Sequence, residues 1–226
     1  VSYAYATDSN GRRIGMNVTD DTSGPSVLFW QPASSNGPST TYTVNDLNQY
    51  TAITTGSGRT QTTVNPTYDI KGNLTYDGTN AYSWDYKNRL LTATNATYTA
   101  SYTYDLFGRR SSKTVNGTVT SYLDDGQQEI AEYSGSGTLL RRFVYGPGVD
   151  GPIVMVTPSS GQYLYHFMDG LGSVVATLDQ NATLVDKRGY SPYGEGTPSS
   201  VTPFAFTGRR YDTETGGRQE HLTEGA

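Results

Sequence analysis

The chain has 226 residues with no cysteine, which suffices for one large all-β unit or two ordinary domains and excludes a disulfide framework, a thiolate metal site and a cysteine nucleophile. Only 16% of residues are charged and the formal net charge is −5, so the sequence carries no electrostatic footprint for nucleic acid or an anionic membrane. Hydrophobic residues make up only 34%, yet 19 tyrosines supply buried area of a kind a disordered polar chain lacks.

Apolar residues almost nowhere recur at helical spacing. Short alternating runs of Tyr, Thr and Val end in Gly, Asn or Asp about every ten residues, which predicts serial antiparallel hairpins in an all-β fold. Residues 1–66 are patterned weakly, broken at Gly24-Pro25 and Asn36-Gly37-Pro38, and are expected to form irregular strands or a cap. No run approaches the roughly 20 apolar residues of a membrane helix, and no signal peptide opens the chain. It begins at Val1, so the expectation is a fragment or processed product of something longer, with any export signal outside it.

From Tyr68 a unit recurs: Tyr68-Asp69-Ile70-Lys71-Gly72-Asn73-Leu74, Trp84-Asp85-Tyr86-Lys87-Asn88-Arg89-Leu90 and Tyr104-Asp105-Leu106-Phe107-Gly108-Arg109-Arg110. An aromatic that packs inward, an Asp that bonds the backbone just ahead, and a Gly or Asn in the left-handed position together describe a turn device. Its period of about 20 residues points to a solenoid-like or spirally wound sheet. Further along, Arg110 to Val115 and Thr118 to Tyr122 flank Asn116-Gly117, whose positive φ angles suit a two-residue hairpin turn. Hairpins are also expected from Ile130 to Tyr133 with Leu139 to Tyr145, from Ile153 to Val156 with Tyr163 to Phe167, and from Val174 to Leu178 with Thr183 to Lys187.

These repeats resemble the YD-repeat family, and four ordered blocks beyond them resemble its Rhs repeat-associated core. The blocks are His166-Phe167-Met168-Asp169-Gly170-Leu171-Gly172-Ser173-Val174-Val175, then Asp179 through Gly189, then Tyr190-Ser191-Pro192-Tyr193-Gly194, then Phe204 through Gly208, Asp212 and Gly216. The division expected is residues 1–66 as a weakly patterned segment or cap, 67–165 as YD repeats, 166–216 as the core-like part and 217–226 as a divergent polar tail. The resemblance implies a spiralling, strand-built shell, secreted or at the cell surface. Bacterial and archaeal relatives carry a C-terminal toxin in such a shell, and animal relatives use it in adhesion receptors. Many toxin-bearing relatives end in a self-cleaving aspartyl protease, but after Gly216 this sequence departs from the family pattern.

The leading expectation is therefore a non-catalytic extracellular scaffold, a partial shell that encloses or displays a partner or self-assembles into a polymer or filament. Its partners would be other copies or the rest of a longer Rhs-type chain, with no cofactor. The alternatives are a surface adhesin or carbohydrate-binding module using exposed Tyr and Trp, and a self-cleaving core in which Asp212 takes part.

His166 with Asp169 falls short of the three or four ligands of a zinc site, which favours structural roles for both. Asp69, Asp85 and Asp105 could pair for glycoside hydrolysis, but equivalent repeat positions more often stack as turn residues. Ser173 lacks the flanking glycine of a nucleophile elbow, and Gly170-Leu171-Gly172, without a following helix, suits close backbone packing better than phosphate. Acceptor sequons for N-glycosylation occur at Asn17, Asn73, Asn95, Asn116 and Asn181.

Overall fold

In the computed structural model, residues 2–7, 13–19, 40–56, 58–147, 151–190, 194, 196 and 199–215 are described. The expectations at Gly24-Pro25, Asn36-Gly37-Pro38, Tyr193, Gly216 and the tail fall outside them. The described residues form eighteen strands and two short 3-10 turns, all strand pairings being antiparallel. The strands are β1 (Ser2–Thr7), β2 (Arg13–Thr19), β3 (Thr40–Val44), β4 (Tyr50–Thr55), β5 (Thr62–Val64), β6 (Thr67–Tyr68), β7 (Leu74–Tyr76), β8 (Ala81–Trp84) and β9 (Leu90–Thr94). They continue with β10 (Thr99–Tyr104), β11 (Arg110–Val115), β12 (Thr118–Asp125), β13 (Gln128–Ser134), β14 (Leu139–Tyr145), β15 (Pro152–Thr157), β16 (Gln162–Met168), β17 (Val174–Asp179) and β18 (Leu184–Lys187).

The chain divides into two compact units, one of Asn36–Leu140 with Asp212–Ala226, the other of Val1–Ser35 with Arg141–Tyr211. In the first, β3, β4 and β5 form a small sheet, and β6 to β13 pair each with the next in sequence as an open meander. In the second, β1 pairs β2, and β14 to β18 form the same kind of ladder. Neighbour-to-neighbour pairing follows from the sequence: from β6 to β18 successive strands are joined by two to six residues, so each reaches the strand beside it.

In the first unit Tyr82, Leu90, Ala93, Ala100 and Tyr102 form the core, with Trp84, Tyr98 and Tyr104 packed on it. Ala93 and Ala100 are direct cross-strand partners, and their small side chains leave room for the tyrosine rings beside them. At Gly78, φ is +97° and a Cβ would lie 2.3 Å from Val64 Cγ1, so only glycine lets the β7–β8 turn approach β5. The second unit's core is Phe143, Met155, Leu164, Val174 and Phe204, with the Phe143 and Phe204 rings edge-to-face at 4.8 Å.

One turn geometry recurs with an Asp or Asn cap six times, at Asn45, Asp69, Asp85, Asp105, Asp169 and Asp179, and its backbone bonds occur again at Ser134 and Ala205. In each, the fourth residue donates its amide to the first residue's carbonyl, and the first donates to the fifth. A bulge directly precedes each of the six capped turns, as between Ser83 and Trp84 or Thr103 and Tyr104. The fourth residue takes positive φ: Asn48 60°, Gly72 89°, Asn88 62°, Gly108 89°, Gly172 82° and Ala182 61°. Five of these are Gly or Asn, which tolerate the left-handed region, whereas alanine's Cβ meets the neighbouring carbonyl oxygen there. Ala182→Gly is therefore expected to stabilise the fold by roughly 0.5–1 kcal/mol, read as a higher urea midpoint at unchanged m-value.

Candidate functional site

The repeated aspartates are bound into the backbone. Asp69 Oδ1 accepts from the amides of Lys71 at 2.8 Å and Asn73 at 2.9 Å, and Oδ2 from the Asn73 carboxamide at 2.9 Å. Asp85 does the same with Lys87 and Arg89, and Asp105 with Phe107 and Arg109; in both, the arginine also donates Nε to Oδ2 at 2.7 Å. The Asn73 side chain, then the backbone donors, hold the Asp69 carboxyl below its ordinary range. The Asp179 carboxyl is lowered by the amides of Thr183 and Asn181. The aromatics ahead of these residues tie one repeat to the previous one: Trp84 Nε1 donates to Leu74 O and Tyr104 Oη to Leu90 O, each at 2.8 Å. Burial raises the Tyr68 hydroxyl.

The sequence motif recovers three of the six turns. Asn45, Asp169 and Asp179 follow Val44, Met168 and Leu178 rather than an aromatic, yet each accepts the backbone amides two and four residues on in the same way. Gly170-Leu171-Gly172 is thus a turn, with the Gly172 amide on Asp169 O at 3.1 Å. Gly194 and Gly208 have φ of +83° and +74°. Asn116 and Gly117 carry the tight β11–β12 turn at φ 49° and 83°, with Asn116 Oδ1 accepting from the Thr99 amide at 2.9 Å.

Of the core-motif residues, Ser173 is fully buried and its Oγ accepts from the Thr207 amide at 3.1 Å. His166 and Asp169 serve separate purposes. His166 is buried with Nδ1 3.1 Å from Pro152 O and its ring edge-to-face with Phe204 at 5.9 Å. Among the sequons, the Asn73 carboxamide also donates to Asn88 Oδ1 at 3.1 Å and that of Asn95 to Asn80 Oδ1 at 2.9 Å. Asn116 Nδ2 lies 3.4 Å from Thr97 O, Asn181 is exposed at a hairpin tip, and Asn17 stands in β2 opposite Ala4.

The densest chemistry is a buried ion cluster in the first unit. Tyr102 on β10 and Lys113 on β11 are cross-strand partners, and the segment Asp212–Thr215 lies over them. Asp212, only 1% exposed, accepts from Arg110 Nη1 at 2.6 Å and Lys113 Nζ at 2.8 Å. Lys113 Nζ also donates to Glu214 Oε1 at 3.0 Å and Oε2 at 3.1 Å, and Tyr102 Oη to Oε1 at 3.2 Å. The Arg110 guanidinium sits 4.8 Å from the Tyr102 ring centroid. Burial opposes the Arg110 charge, but Asp212 outweighs it and raises its proton affinity; burial, then Glu214 and Asp212, raise the Tyr102 hydroxyl.

An acid protease needs two carboxylates sharing one proton. Here a lysine stands between the two and an arginine faces the first, so the cluster is built as a clamp on the 212–215 segment. No group of three or more His, Asp or Glu among the described residues has the geometry of a metal site.

Asp212→Ala removes the buried carboxylate that Arg110 and Lys113 share, leaving Lys113 with Glu214, and is expected to destabilise the first unit by about 3–5 kcal/mol in urea denaturation. The second unit has its own pH signature. Burial, reinforced by the Arg188 charge, lowers His166 from 6.5 to about 4 against the pull of Pro152 O and Asp186. The unfolded chain therefore takes up this proton first as pH falls. Stability contributed by neutral His166 is complete above about pH 6.5, declines between 6.5 and 4, and is lost below that, a span of about 3 kcal/mol. The difference between wild-type and His166→Gln stability profiles should change over that window.

The chain matches the Teneurin YD-shell family model over residues 34–217. It is 31% identical over 160 residues to the tRNA3(Ser)-specific nuclease WapA of Bacillus spizizenii and to the tRNA nuclease WapA of Bacillus subtilis. Each match covers 66% of this chain and only 7% of the relative's length. Among solved structures, it resembles a Tc holotoxin pore of Photorhabdus luminescens at 16% identity and TM-score 0.53, covering 77% of this chain and 11% of that one. It also resembles a TcdB2-TccC3-Cdc42 complex at 18% identity and TM-score 0.55, covering 94% of this chain and 13% of that one. The aromatic-Asp turns, the hairpin ladder and the match over most of its length together make this chain a member of the Teneurin YD-shell family.

Proposed function

We propose that this chain is a wall segment of an exported YD shell that encloses or displays a partner, and that catalysis belongs to other domains. The observation that carries the reading is the use made of the recurring carboxylates: five aspartates in equivalent turns each commit Oδ1 to two backbone amides. Residues so engaged hold strands in register, which is a structural use of the carboxylate. In this reading residues 67–165 form the YD wall and 166–216 its core-like continuation. The named tRNA nucleases support a link to toxin delivery, since the chain corresponds to a small fraction of their length. Its partners are then the remainder of a longer Rhs-type chain or further copies, outside the cell. No helix among the described residues is long and apolar enough to cross a membrane.

The adhesin reading has one observation of its own: Tyr163, Tyr165 and Phe167 alternate along β16 and share a half-exposed face. One preparation addresses both. The purified chain, incubated with total tRNA and magnesium, is expected to leave the tRNA intact and to bind no sugar on a glycan array. Cleavage that copurifies with the chain would overturn the scaffold reading, and glycan binding lost on Y163A and F167A would favour the adhesin.

A further inference from the structure

The ion cluster on β10 and β11 holds a nucleophile against an electrophile. Lys113 Nζ lies 2.8 Å from Asp212 Oδ1, so the carboxyl carbon is no more than one C–O bond further away. An amine and a carboxyl carbon held at such range react as if each were present at very high concentration. Glu214 stands against the same amine, with Oε1 at 3.0 Å and Oε2 at 3.1 Å. Arg110 Nη1 donates to the other oxygen of Asp212, Oδ2, at 2.6 Å.

An exposed ion pair would ask for no explanation, since water screens it and little depends on its geometry. Here both carboxylates are buried, and the buried Tyr102 hydroxyl donates to Glu214 Oε1 at 3.2 Å and orients it. A lysine, a carboxyl to acylate it, a second carboxyl to carry protons and a cation on the far oxygen are the parts an amide condensation needs. The fold brings them together from positions 99 residues apart.

We propose that Lys113 and Asp212 condense to an intramolecular isopeptide bond, with Glu214 as the proton carrier. Lys113 enters as the ammonium and Asp212 as the carboxylate. One proton passes along the 2.8 Å hydrogen bond to Oδ1, leaving a neutral amine beside a carboxylic acid. The Nζ lone pair attacks Cγ, the C–N bond forms, and the carbonyl electron pair moves onto Oδ2, where Arg110 donates. Glu214 takes a second proton from the nitrogen and delivers it to Oδ1. The Cγ–Oδ1 bond breaks, Oδ2 regains its double bond, and Oδ1 departs as water; the third proton stays on the amide nitrogen. No oxidant or other reactant takes part.

The product relieves the site of two buried charges, and the two that remain among these four side chains, on Arg110 and Glu214, still balance. The bond ties β11 to the 212–215 segment and closes a long loop, which constrains the unfolded chain. It is a single self-modification and not turnover on a substrate. It goes beyond the wall reading, which stands whether or not the bond forms.

Intact-mass spectrometry of the purified 226-residue chain, after prolonged incubation at neutral pH, tests it. The wild type is expected to be lighter than its sequence by one water molecule. Trypsin should then release residues 111–141 joined to residues 211–218, because an acylated Lys113 resists cleavage. K113R keeps the cation without the nucleophile and is expected to fold, by circular dichroism, at full sequence mass. E214Q should form the bond at least about a hundredfold more slowly. A wild type that keeps its full sequence mass would overturn the inference. So would a water lost equally by K113R, because that dehydration lies elsewhere, as in a succinimide at an Asp-Gly step such as Asp77-Gly78.

Discussion

A carboxylate oxygen accepting two backbone amides, two and four residues ahead of it, is the interaction on which this fold rests. The bond fixes where each strand stops, and the left-handed residue between the two amides turns the chain back. The preceding bulge then places the aromatic ahead of the Asp so that Trp84 and Tyr104 reach a carbonyl of the strand pair before. One local device thus sets the turn, the register and the link between repeats. Such an aspartate is held as the carboxylate by the donors it accepts from, and its use is structural.

The ion cluster works at a different range. Arg110 and Lys113 stand about a hundred residues before Asp212 and Glu214, and their pairing anchors the 212–215 segment on β10 and β11. Burying that many charges is tolerable only when each finds its counterpart, so the cluster specifies one position for the segment more than it adds net stability. In the second unit the neutral His166 ring is packed against Phe204 as an apolar edge, with one nitrogen bonded to the backbone. Its value there depends on remaining uncharged.

The hairpins from β11 onward, the Asn116-Gly117 turn and three of the six Asp turns were legible in the sequence, because each is written in four to eight contiguous residues. The other three turns share the geometry without the aromatic, and Ala182 occupies a position where composition suggests Gly or Asn. The small sheet of β3 to β5 was masked by uniform Thr, whose alternation carries no contrast between buried and exposed faces. The His166 and Asp169 pair read as neighbours in sequence, yet a strand end separates the buried face from the turn.

By itself, then, the sequence determined the class of fold and its unit of construction, since period-two patterning and turn chemistry are local properties of the chain. Only the tertiary structure decided which charges meet. The Tyr102, Arg110, Lys113, Asp212 and Glu214 cluster joins residues far apart in sequence, and no local pattern encodes that closure.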